Sequence, residues 1–355
     1  MKITFILPFA GITGGIKHYF SIANGLVDLG HEVNIVYPGK LFPKQNAIWR
    51  VERYFRSIKY FIEAQKGNEE SSKWFKLKAK IKKVPDLSEK YIPDADVVIA
   101  TANETADWVE KYSKSKGEKF YYVLDYETWA RSKEDVDKTF RMPLKKIASG
   151  TWQKDFLEND FKQKVYGIAS PAIDLNTFKP ASEKKQYNRI LMLYHPLPYK
   201  GVSDGIEAFN RAKEKFPDIK LIMFGVQKLP LDLEKLVDKF YFKLPEEKIA
   251  VPYQQSDIFI WPSHREGFGL PPLEAMACGC AVITTNSGAV ADFTDKNCAI
   301  IVPVKDSEAI HQSLIKLLKD QSLQRHLGQN AIKKASNFSW DKQVKKFEKI
   351  LIENL

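Results

Sequence analysis

A chain of 355 residues is too long for one ordinary hydrophobic core and about right for two domains. Its content of 44% hydrophobic and 12% aromatic residues excludes a disordered protein, and no apolar run reaches the roughly 18 residues that span a bilayer. The formal net charge is +11. The cysteines have neither zinc-site nor disulfide spacing (Cys278, Cys280 and Cys298). We therefore expect a cytoplasmic protein with reduced thiols.

The first half of the chain alternates strand-like and helix-like segments. The stretch KITFILP predicts a strand. The stretch IKHYFSIANGLVDLG predicts a helix, because its apolar residues recur at helical spacing and Gly30 can cap it. Further short apolar segments predict strands, namely EVNIVYP, DVVIAT, KFYYVLD and KKIASG. This alternation is typical of parallel α/β layers.

The second half repeats the architecture with strands predicted at RILMLY, KLIMFG, IFIWPS, AVITTN and CAIIVP. A stretch rich in turn formers, SPAIDLNTFKP (170–180), separates the two series. We predict two doubly wound, Rossmann-like domains, 1–172 and 173–338, that face each other across a cleft. An amphipathic helix, 339–355, is expected to pack back towards the N-terminal domain.

The first strand is followed by GITGG (11–15), which runs directly into the predicted helix. Loops in this position matter because ligands of doubly wound sheets bind at the carboxyl ends of the strands. Gly14 and Gly15 allow a phosphate to approach the backbone at a helix N-terminus. The G-x-G-x-x-G fingerprint is not met, since Thr13 stands at its middle glycine, and a Walker lysine is lacking. The segment 11–15 can therefore be either a phosphate-binding loop or a plain tight turn.

The stretch EGFGLPPLEAMACG (266–279) follows another buried strand and predicts a loop and then a short helix. Its glycines leave the loop backbone bare, so that amide groups can face an anion. Glu274 is expected on the first helical turn, where a carboxylate can accept hydrogen bonds from a ribose diol. Glu266 can reach the hydroxyls of a bound sugar. The alternative is a capped helix with two solvated glutamates.

These residues resemble the retaining glycosyltransferases of family 4, which have the GT-B fold. The resemblance is carried by two glutamates eight residues apart in E-G-F-G-L-P-x-x-E, by AVITTNSGAV after them, and by ILMLYHPLPYKGVSDGIEAF before them. The N-terminal half matches more loosely, through Gly14 and Gly15. The family implies that Gly15 and Lys200 contact the donor diphosphate, Glu266 the transferred sugar and Glu274 the ribose. It also implies that backbone amides hold the sugar and phosphate (Phe268, Gly269 and Leu270).

Two departures from the family concern charge. Family members usually have Gly-Arg before the Lys-Gly loop, and this chain has Tyr194 and His195, so a titratable group replaces a fixed charge beside the diphosphate. Many relatives have a histidine after an N-domain strand, where this chain reads VLDYETW. Asp125 and Glu127 are therefore candidates for acceptor binding, and Asp125 also for a base. A structural role for both is the alternative.

The sequence predicts neither a metal nor another cofactor. Asp94 and Asp96 resemble the D-x-D metal motif of the other glycosyltransferase fold, but they precede an apolar strand instead of ending one. The six histidines lack metal-ligand spacing.

Most of the positive charge lies between Arg50 and Lys83, where eleven Lys and Arg face four Glu for a net +7. No nucleic-acid-binding signature accompanies it, so we expect no nucleic-acid partner. Arg50, Arg53, Arg56 and Lys59 recur every three residues among aromatic side chains, as in a helix lying on an anionic membrane. A solvated basic face is the alternative.

The sequence thus predicts a metal-independent glycosyltransferase that moves a hexose or deoxyhexose from a nucleoside-diphosphate sugar to a glycan or lipid-linked acceptor. The family implies retention at the anomeric carbon and a role in surface polysaccharide or glycoconjugate synthesis. We expect it in the cytoplasm, with peripheral attachment to the inner face of the plasma membrane through residues 50–83. The alternatives are an inactive GT-B sugar-binding module and a GT-B phosphorylase or epimerase.

Overall fold

The computed structural model describes residues 1–11, 13–39, 75–128, 131–181 and 188–355. The chain divides into two compact units. The N-terminal unit comprises Met1–Ser170 and Trp340–Leu355, and the C-terminal unit comprises Pro171–Ser339. The division lies two residues before the boundary that the sequence predicts at 172.

The N-terminal unit is built on a parallel sheet, which has seven strands in the part of the chain described. The strands are β1 (Lys2–Ile6), β2 (Glu32–Pro38), β3 (Lys80–Val84), β4 (Val97–Ala100), β5 (Glu118–Val123), β6 (Lys145–Ala148) and β7 (Val165–Ile168). Their order is β3-β2-β1-β4-β5-β6-β7. The order reverses between β1 and β4, so the loops after these two strands flank the position where doubly wound sheets bind ligands.

Helices cover both faces of this sheet. They are α1 (Gly14–Asp28), α2 (Asn103–Val109), α3 (Lys133–Phe140), α4 (Thr151–Asn159) and, from the end of the chain, α12 (Trp340–Ile352). The predicted apolar stripe of α1 packs on the sheet: Tyr19, Phe20 and Ala23 are buried, and Gly30 adopts the left-handed φ of +88° that ends the helix. On the same face, α12 buries Phe347 against Phe5 and Tyr122.

The C-terminal unit has a second parallel sheet, of six strands within the described residues. The strands are β8 (Arg189–Leu193), β9 (Lys220–Gly225), β10 (Lys239–Phe242), β11 (Ile258–Trp261), β12 (Ala281–Thr285) and β13 (Ala299–Val302). Their order is β10-β9-β8-β11-β12-β13. Here the reversal falls between β8 and β11, which places the loops carrying Lys200 and Glu266 beside each other.

The helices of the C-terminal unit are α5 (Val202–Lys215), α6 (Leu231–Glu234), α7 (Val251–Gln254), α8 (Leu270–Ala277), α9 (Val290–Phe293), α10 (Ser307–Lys319) and α11 (Gln321–Ala335). The core between sheet and helices is apolar and includes Ile190, Met192, Phe209, Ile260 and Leu314. Within the part of the chain that is described, no helix combines the length and hydropathy needed to cross a membrane.

The predicted strands are all present, and among the described residues three more were missed in the sequence. The strand β3 was read as part of the basic segment, because Lys80, Lys82 and Lys83 dominate it. It lies at the sheet edge, where side chains on both faces can reach water. The strands β7 and β10 are also edge strands, and each is short and partly exposed. Such strands carry little of the apolar signal that identifies buried ones.

Candidate functional site

The loop after β8 presents Lys200 at the end of a single helical turn, Pro198–Lys200. His195 begins this loop, and its Nδ1 accepts a hydrogen bond of 3.2 Å from the backbone N–H of Leu197. Burial, and then the charge of Lys200, lower the pKa of His195. The ring is therefore neutral at neutral pH and carries its proton on Nε2, where it can donate to a phosphate oxygen but adds no positive charge.

The loop after β11 carries Glu266 to the ammonium group of Lys200. Lys200 Nζ lies 2.7 Å from Glu266 Oε1, and the two side chains are 19% and 10% exposed. The ammonium also lies over the rings of Tyr199 and Trp261, at 5.4 and 5.7 Å from their centroids. A cation held by a carboxylate and two aromatic faces is well oriented yet retains some access to solvent.

Two glycines bring the backbones of these loops together. Gly201 has a φ of +63°, and a Cβ there would lie 2.0 Å from the carbonyl oxygen of Pro262. Gly288, in the loop after β12, has a φ of +61°, and a Cβ there would lie 2.4 Å from the carbonyl oxygen of Glu266. Neither position tolerates a side chain, so the loops around Lys200 and Glu266 are fixed by direct backbone packing.

The predicted anion-binding amides lie at the start of α8. Gly269 precedes the helix with a φ of +92°, and Leu270 is its first residue. The first N–H groups of a helix have no partner within the helix. Pro271 and Pro272 have no N–H group, so in this first turn the backbone N–H of Leu270 is the one placed to bind a ligand. The side chain of Phe268 packs against Phe293 and Phe338. Its backbone is therefore the part of the residue that can contact a ligand.

Glu274 is the fifth residue of α8, so its expected place on the first helical turn is wrong. The helix begins at Leu270, directly before Pro271 and Pro272. The phenol of Tyr253 donates a hydrogen bond of 2.6 Å to Glu274 Oε2. Tyr253 is fully buried, and burial followed by the carboxylate of Glu274 raises the pKa of its phenol. Tyr253 thus fixes the orientation of the Glu274 carboxylate.

In the N-terminal unit, Gly14 and Gly15 form the first turn of α1, where the Oγ1 of Thr13 caps the N–H of Ile16 at 3.2 Å. A Cβ on Gly14 would meet nothing within 4 Å, and one on Gly15 would meet only Leu124, at 3.9 Å. The protein itself therefore has room for side chains here. Their absence leaves the helix N-terminus open to a ligand.

Asp125 and Glu127 follow β5, beside the start of α2. Oε2 of Glu127 accepts hydrogen bonds from the backbone N–H and the side-chain Nδ2 of Asn103, at 3.2 and 3.0 Å. Burial, together with the charges of Glu104 and Asp125, raises the pKa of Glu127 to about 7. Asp125 Oδ1 accepts a 2.7 Å bond from the N–H of Tyr126. Glu127 is thus a carboxyl group that titrates near neutral pH.

Asp94 and Asp96 lie before β4 and have protein partners. Asp94 is paired with Lys116 at 2.7 Å, and Asp96 accepts a 2.7 Å hydrogen bond from the backbone N–H of Lys2. Among the residues that the structure describes, no group of three His, Cys, Asp or Glu side chains could hold a metal ion. Metal independence stays a prediction.

The basic segment lies mostly outside the described residues, and the predicted membrane-binding helix around Arg50–Lys59 lies there entirely. Its described end is extended and leads into β3. The lysines at alternate positions are exposed on this stretch: Lys76, Lys78, Lys80 and Lys82.

Several residues that support the site were missed in the sequence. Tyr253 lies five residues before the predicted strand IFIWPS and Trp261 lies within that strand, but neither has a local signal of its contacts. His264 bonds to Asp204 at 2.7 Å, across a separation of 60 residues. Asn103 was missed as the partner of Glu127. A position just after a strand was the one signal available, and only His264 and Asn103 have it.

Residues 175–334 match the family model described as glycosyl transferases group 1. The match spans nearly all of the C-terminal unit, including Lys200, Glu266 and Glu274. Over these residues the chain is similar to this family.

Curated glycosyltransferases are similar to parts of the chain. The capsular polysaccharide biosynthesis glycosyltransferase CapM of Staphylococcus aureus is 31% identical over 150 residues, which cover 39% of this chain and 38% of that protein. The poly(glycerol-phosphate) alpha-glucosyltransferase of Bacillus subtilis is 29% identical over 231 residues, which cover 62% of this chain and 34% of that protein. The chain therefore spans little more than a third of the length of these relatives.

Solved structures resemble the chain over its whole length. HepE of Anabaena, in complex with UDP, superimposes with a TM-score of 0.76 at 13% identity and covers 99% of this chain and 100% of its own. Sucrose-phosphate synthase of Thermosynechococcus elongatus gives 0.71 at 16% identity, with 99% and 98% covered. The chain has the GT-B fold, as the sequence predicts.

Proposed function

We propose that this protein is a glycosyltransferase that moves a hexose or deoxyhexose from a nucleoside-diphosphate sugar to a glycan or lipid-linked acceptor. We further propose that it belongs to the retaining enzymes of family 4 and acts in surface polysaccharide or glycoconjugate synthesis. The similarity to CapM, a capsular polysaccharide biosynthesis glycosyltransferase, and to HepE, whose structure contains UDP, supports this assignment.

The ion pair between Lys200 and Glu266 carries the proposal. In a nucleotide sugar, a single bridging oxygen joins the anomeric carbon to the outer phosphate. A site for such a donor must therefore place a group for sugar hydroxyls next to a group for phosphate oxygens. Glu266 and Lys200 are these two groups, 2.7 Å apart at the reversal point of the C-terminal sheet.

The transfer step moves charge towards Lys200. A bond forms between the acceptor hydroxyl oxygen and the anomeric carbon, while the bond from that carbon to the bridging oxygen breaks. The electron pair leaves with the diphosphate, and the hydroxyl proton passes either to the diphosphate, directly or through solvent, or to Asp125 acting as a base. Lys200 and the amides at the start of α8 stabilise the negative charge that develops, and His195 donates one further hydrogen bond from Nε2.

The nucleoside lies along α8 in this proposal. Glu274, oriented by Tyr253, accepts hydrogen bonds from the ribose hydroxyls. The amides of Phe268, Gly269 and Leu270 face the sugar and phosphate. Gly14 and Gly15 offer a second helix N-terminus to the diphosphate, from the N-terminal unit.

The acceptor contacts the N-terminal unit through Asp125 and Glu127. Both carboxyls follow β5, and Glu127 is anchored by Asn103. We assign Asp125 to binding or deprotonating the acceptor hydroxyl. A carboxyl-lined position favours an uncharged, hydroxyl-rich group over a phosphate, since like charges repel at short range.

A lipid-linked acceptor would keep the enzyme at a membrane. The exposed lysines before and within β3 support an anionic surface as partner, although Lys78 and Lys80 are also paired with Asp28 and Glu32. Exposed pairs of this kind are weak and exchange readily. We propose peripheral attachment to the inner face of the plasma membrane through residues 50–83.

Thermal unfolding with a panel of donors tests the proposal. The panel comprises UDP-glucose, UDP-galactose, UDP-N-acetylglucosamine, GDP-mannose and dTDP-rhamnose, with the free sugars and nucleoside monophosphates as controls. A donor present at 100 times its Kd should add about 2.7 kcal/mol to the free energy of unfolding. No stabilisation by any nucleotide sugar would contradict the assignment.

Release of the nucleoside diphosphate from a stabilising donor then separates the alternatives. Stabilisation without release, in water or with glycan acceptors, identifies an inactive sugar-binding module. Formation of a sugar 1-phosphate from a glycan and inorganic phosphate identifies a phosphorylase, and conversion of the donor sugar to its epimer identifies an epimerase. The anomeric configuration of the product, read by proton NMR, tests retention.

A further inference from the structure

The side chains of His264 and Asp204 form a second pair beside Lys200 and Glu266. His264 Nε2 lies 2.7 Å from Asp204 Oδ2, and the side chains are 17% and 20% exposed. Asp204 lies on the first turn of α5, four residues after Lys200, and His264 precedes Glu266 by two residues. The pair therefore joins the two loops whose tips carry the ion pair.

The same loops are also joined through their backbones. The N–H of His264 donates to the carbonyl oxygen of Tyr199 at 2.8 Å, directly before Lys200. Gly201, directly after Lys200, packs on Pro262 with no room for a Cβ. His264 thus fixes Lys200 from two directions, through its backbone on one side and through Asp204 on the other.

These contacts between the two loops matter because the ammonium group of Lys200 has to exchange partners. In the free protein its ammonium bonds to Glu266; with donor bound it must turn towards the diphosphate while its backbone stays in place. A lysine side chain has four rotatable bonds, so only a fixed backbone confines where its charge can go. A displacement of about 1 Å at such a group can cost roughly 100-fold in rate.

We propose that His264 and Asp204 are positioning residues for the transfer reaction, which act by holding the Lys200 loop against the Glu266 loop. They bond to each other and to the neighbours of Lys200 in the chain, Tyr199 and Gly201, and in this proposal neither contacts the donor. This inference rests on the proposed function. It adds that His264 and Asp204 determine the position from which the charge of Lys200 acts on the diphosphate.

The test uses donor hydrolysis by the full chain, measured as release of UDP from UDP-glucose or of the diphosphate from whichever panel donor stabilises the protein. His264→Phe, which cannot bond to Asp204, should lower kcat/KM about 10- to 100-fold, mainly through kcat. His264→Gln keeps an N–H donor and should recover most of the loss. The control is His326→Phe, since His326 is exposed on α11 and bonds to Asn330; it should leave hydrolysis unchanged.

A double-mutant cycle shows whether His264 acts through Lys200. If it does, adding His264→Phe to Lys200→Ala should cause less than about a twofold further loss, because the group being positioned is already gone. Losses that multiply would overturn the inference, and so would wild-type hydrolysis by His264→Phe. Should His264→Phe fail to fold, Asp204→Asn in the same cycle decides between the same two results.

Different results would overturn the proposed function and the positioning role of His264 and Asp204. Wild-type protein that hydrolyses no panel donor would overturn the proposed function and this inference with it. Wild-type hydrolysis that is sensitive to Lys200→Ala but not to His264→Phe or Asp204→Asn would overturn the inference alone.

Discussion

At the scale of single residues, the charge on Lys200 is the strongest candidate for a catalytic contribution. We predict that Lys200→Ala lowers kcat/KM for nucleotide-sugar turnover by about two to three orders of magnitude, the loss expected for one strong electrostatic contact to the transition state. The variant should still fold, because Lys200 lies on a loop and contacts mainly Glu266. Steady-state kinetics and circular dichroism measure the two effects, and near wild-type turnover would show that Lys200 does not face the leaving group.

Glu127 gives a prediction about pH. Its pKa is raised to about 7 in the folded protein from an ordinary value of 4.5, so the folded state holds a proton that the unfolded state releases. This contribution to stability is complete below about pH 4.5 and is lost as the pH rises through about 7. The free energy of unfolding of the wild type should therefore fall across that window, by about 3 kcal/mol at most.

Urea unfolding of wild type and Glu127→Gln at intervals between about pH 5 and about pH 8 measures this effect. The glutamine cannot ionise, so the difference in stability between the two proteins should grow with pH in favour of the variant. Glu353→Gln, at an exposed position near the end of the chain, is the control. A difference that does not change with pH would mean that Glu127 titrates normally.

At the scale of elements, the basic stretch that ends in β3 makes a testable surface. If about half of the basic residues between Arg50 and Lys83 face a membrane, the attraction amounts to several kcal/mol at about 1 kcal/mol each, enough for reversible binding. We predict co-sedimentation with vesicles that contain anionic lipid but not with neutral vesicles. Binding should weaken as salt rises, because charges are screened beyond about 8 Å at physiological ionic strength.

Charge-reversal variants locate this surface. Changing Arg53, Arg56, Lys76 and Lys80 to Glu should abolish co-sedimentation, whereas the same change at four exposed lysines of the C-terminal unit should reduce it less (Lys228, Lys235, Lys296 and Lys316). Equal recovery on both vesicle types, or equal loss in both variants, would make residues 50–83 an ordinary solvated face. A soluble saccharide would then be the better acceptor.

At the scale of the whole molecule, the site supplies positive charge from a lysine and helix amides. We predict that turnover survives excess EDTA and gains little from Mg²⁺ or Mn²⁺, because these groups do what a cation does in metal-dependent transferases. The measurement is diphosphate release before and after chelation. Complete loss in EDTA with recovery on Mn²⁺ would contradict the prediction and return Asp94 and Asp96 to consideration as ligands.

The sequence by itself determined the fold class and the main elements of the site. Buried parallel strands are continuous apolar runs, so β1, β4 and β11 could be read directly, and the glycines and prolines around Glu266 mark a strand, a loop and a helix in order. The edge strands were missed because half-solvated strands such as β3 can carry lysines. The helical turn of Glu274 was misplaced because the prolines do not fix where α8 begins.

The contacts that make the site depended on the tertiary structure. Strand order is not encoded locally: β8 and β11 are neighbours only because the sheet places them so, and this brings Lys200 within 2.7 Å of Glu266 across 66 residues. The bonds of His264 to Asp204, Tyr253 to Glu274 and Asn103 to Glu127 follow in the same way. A sequence pattern names the chemical groups, and the order of the strands decides which of them meet.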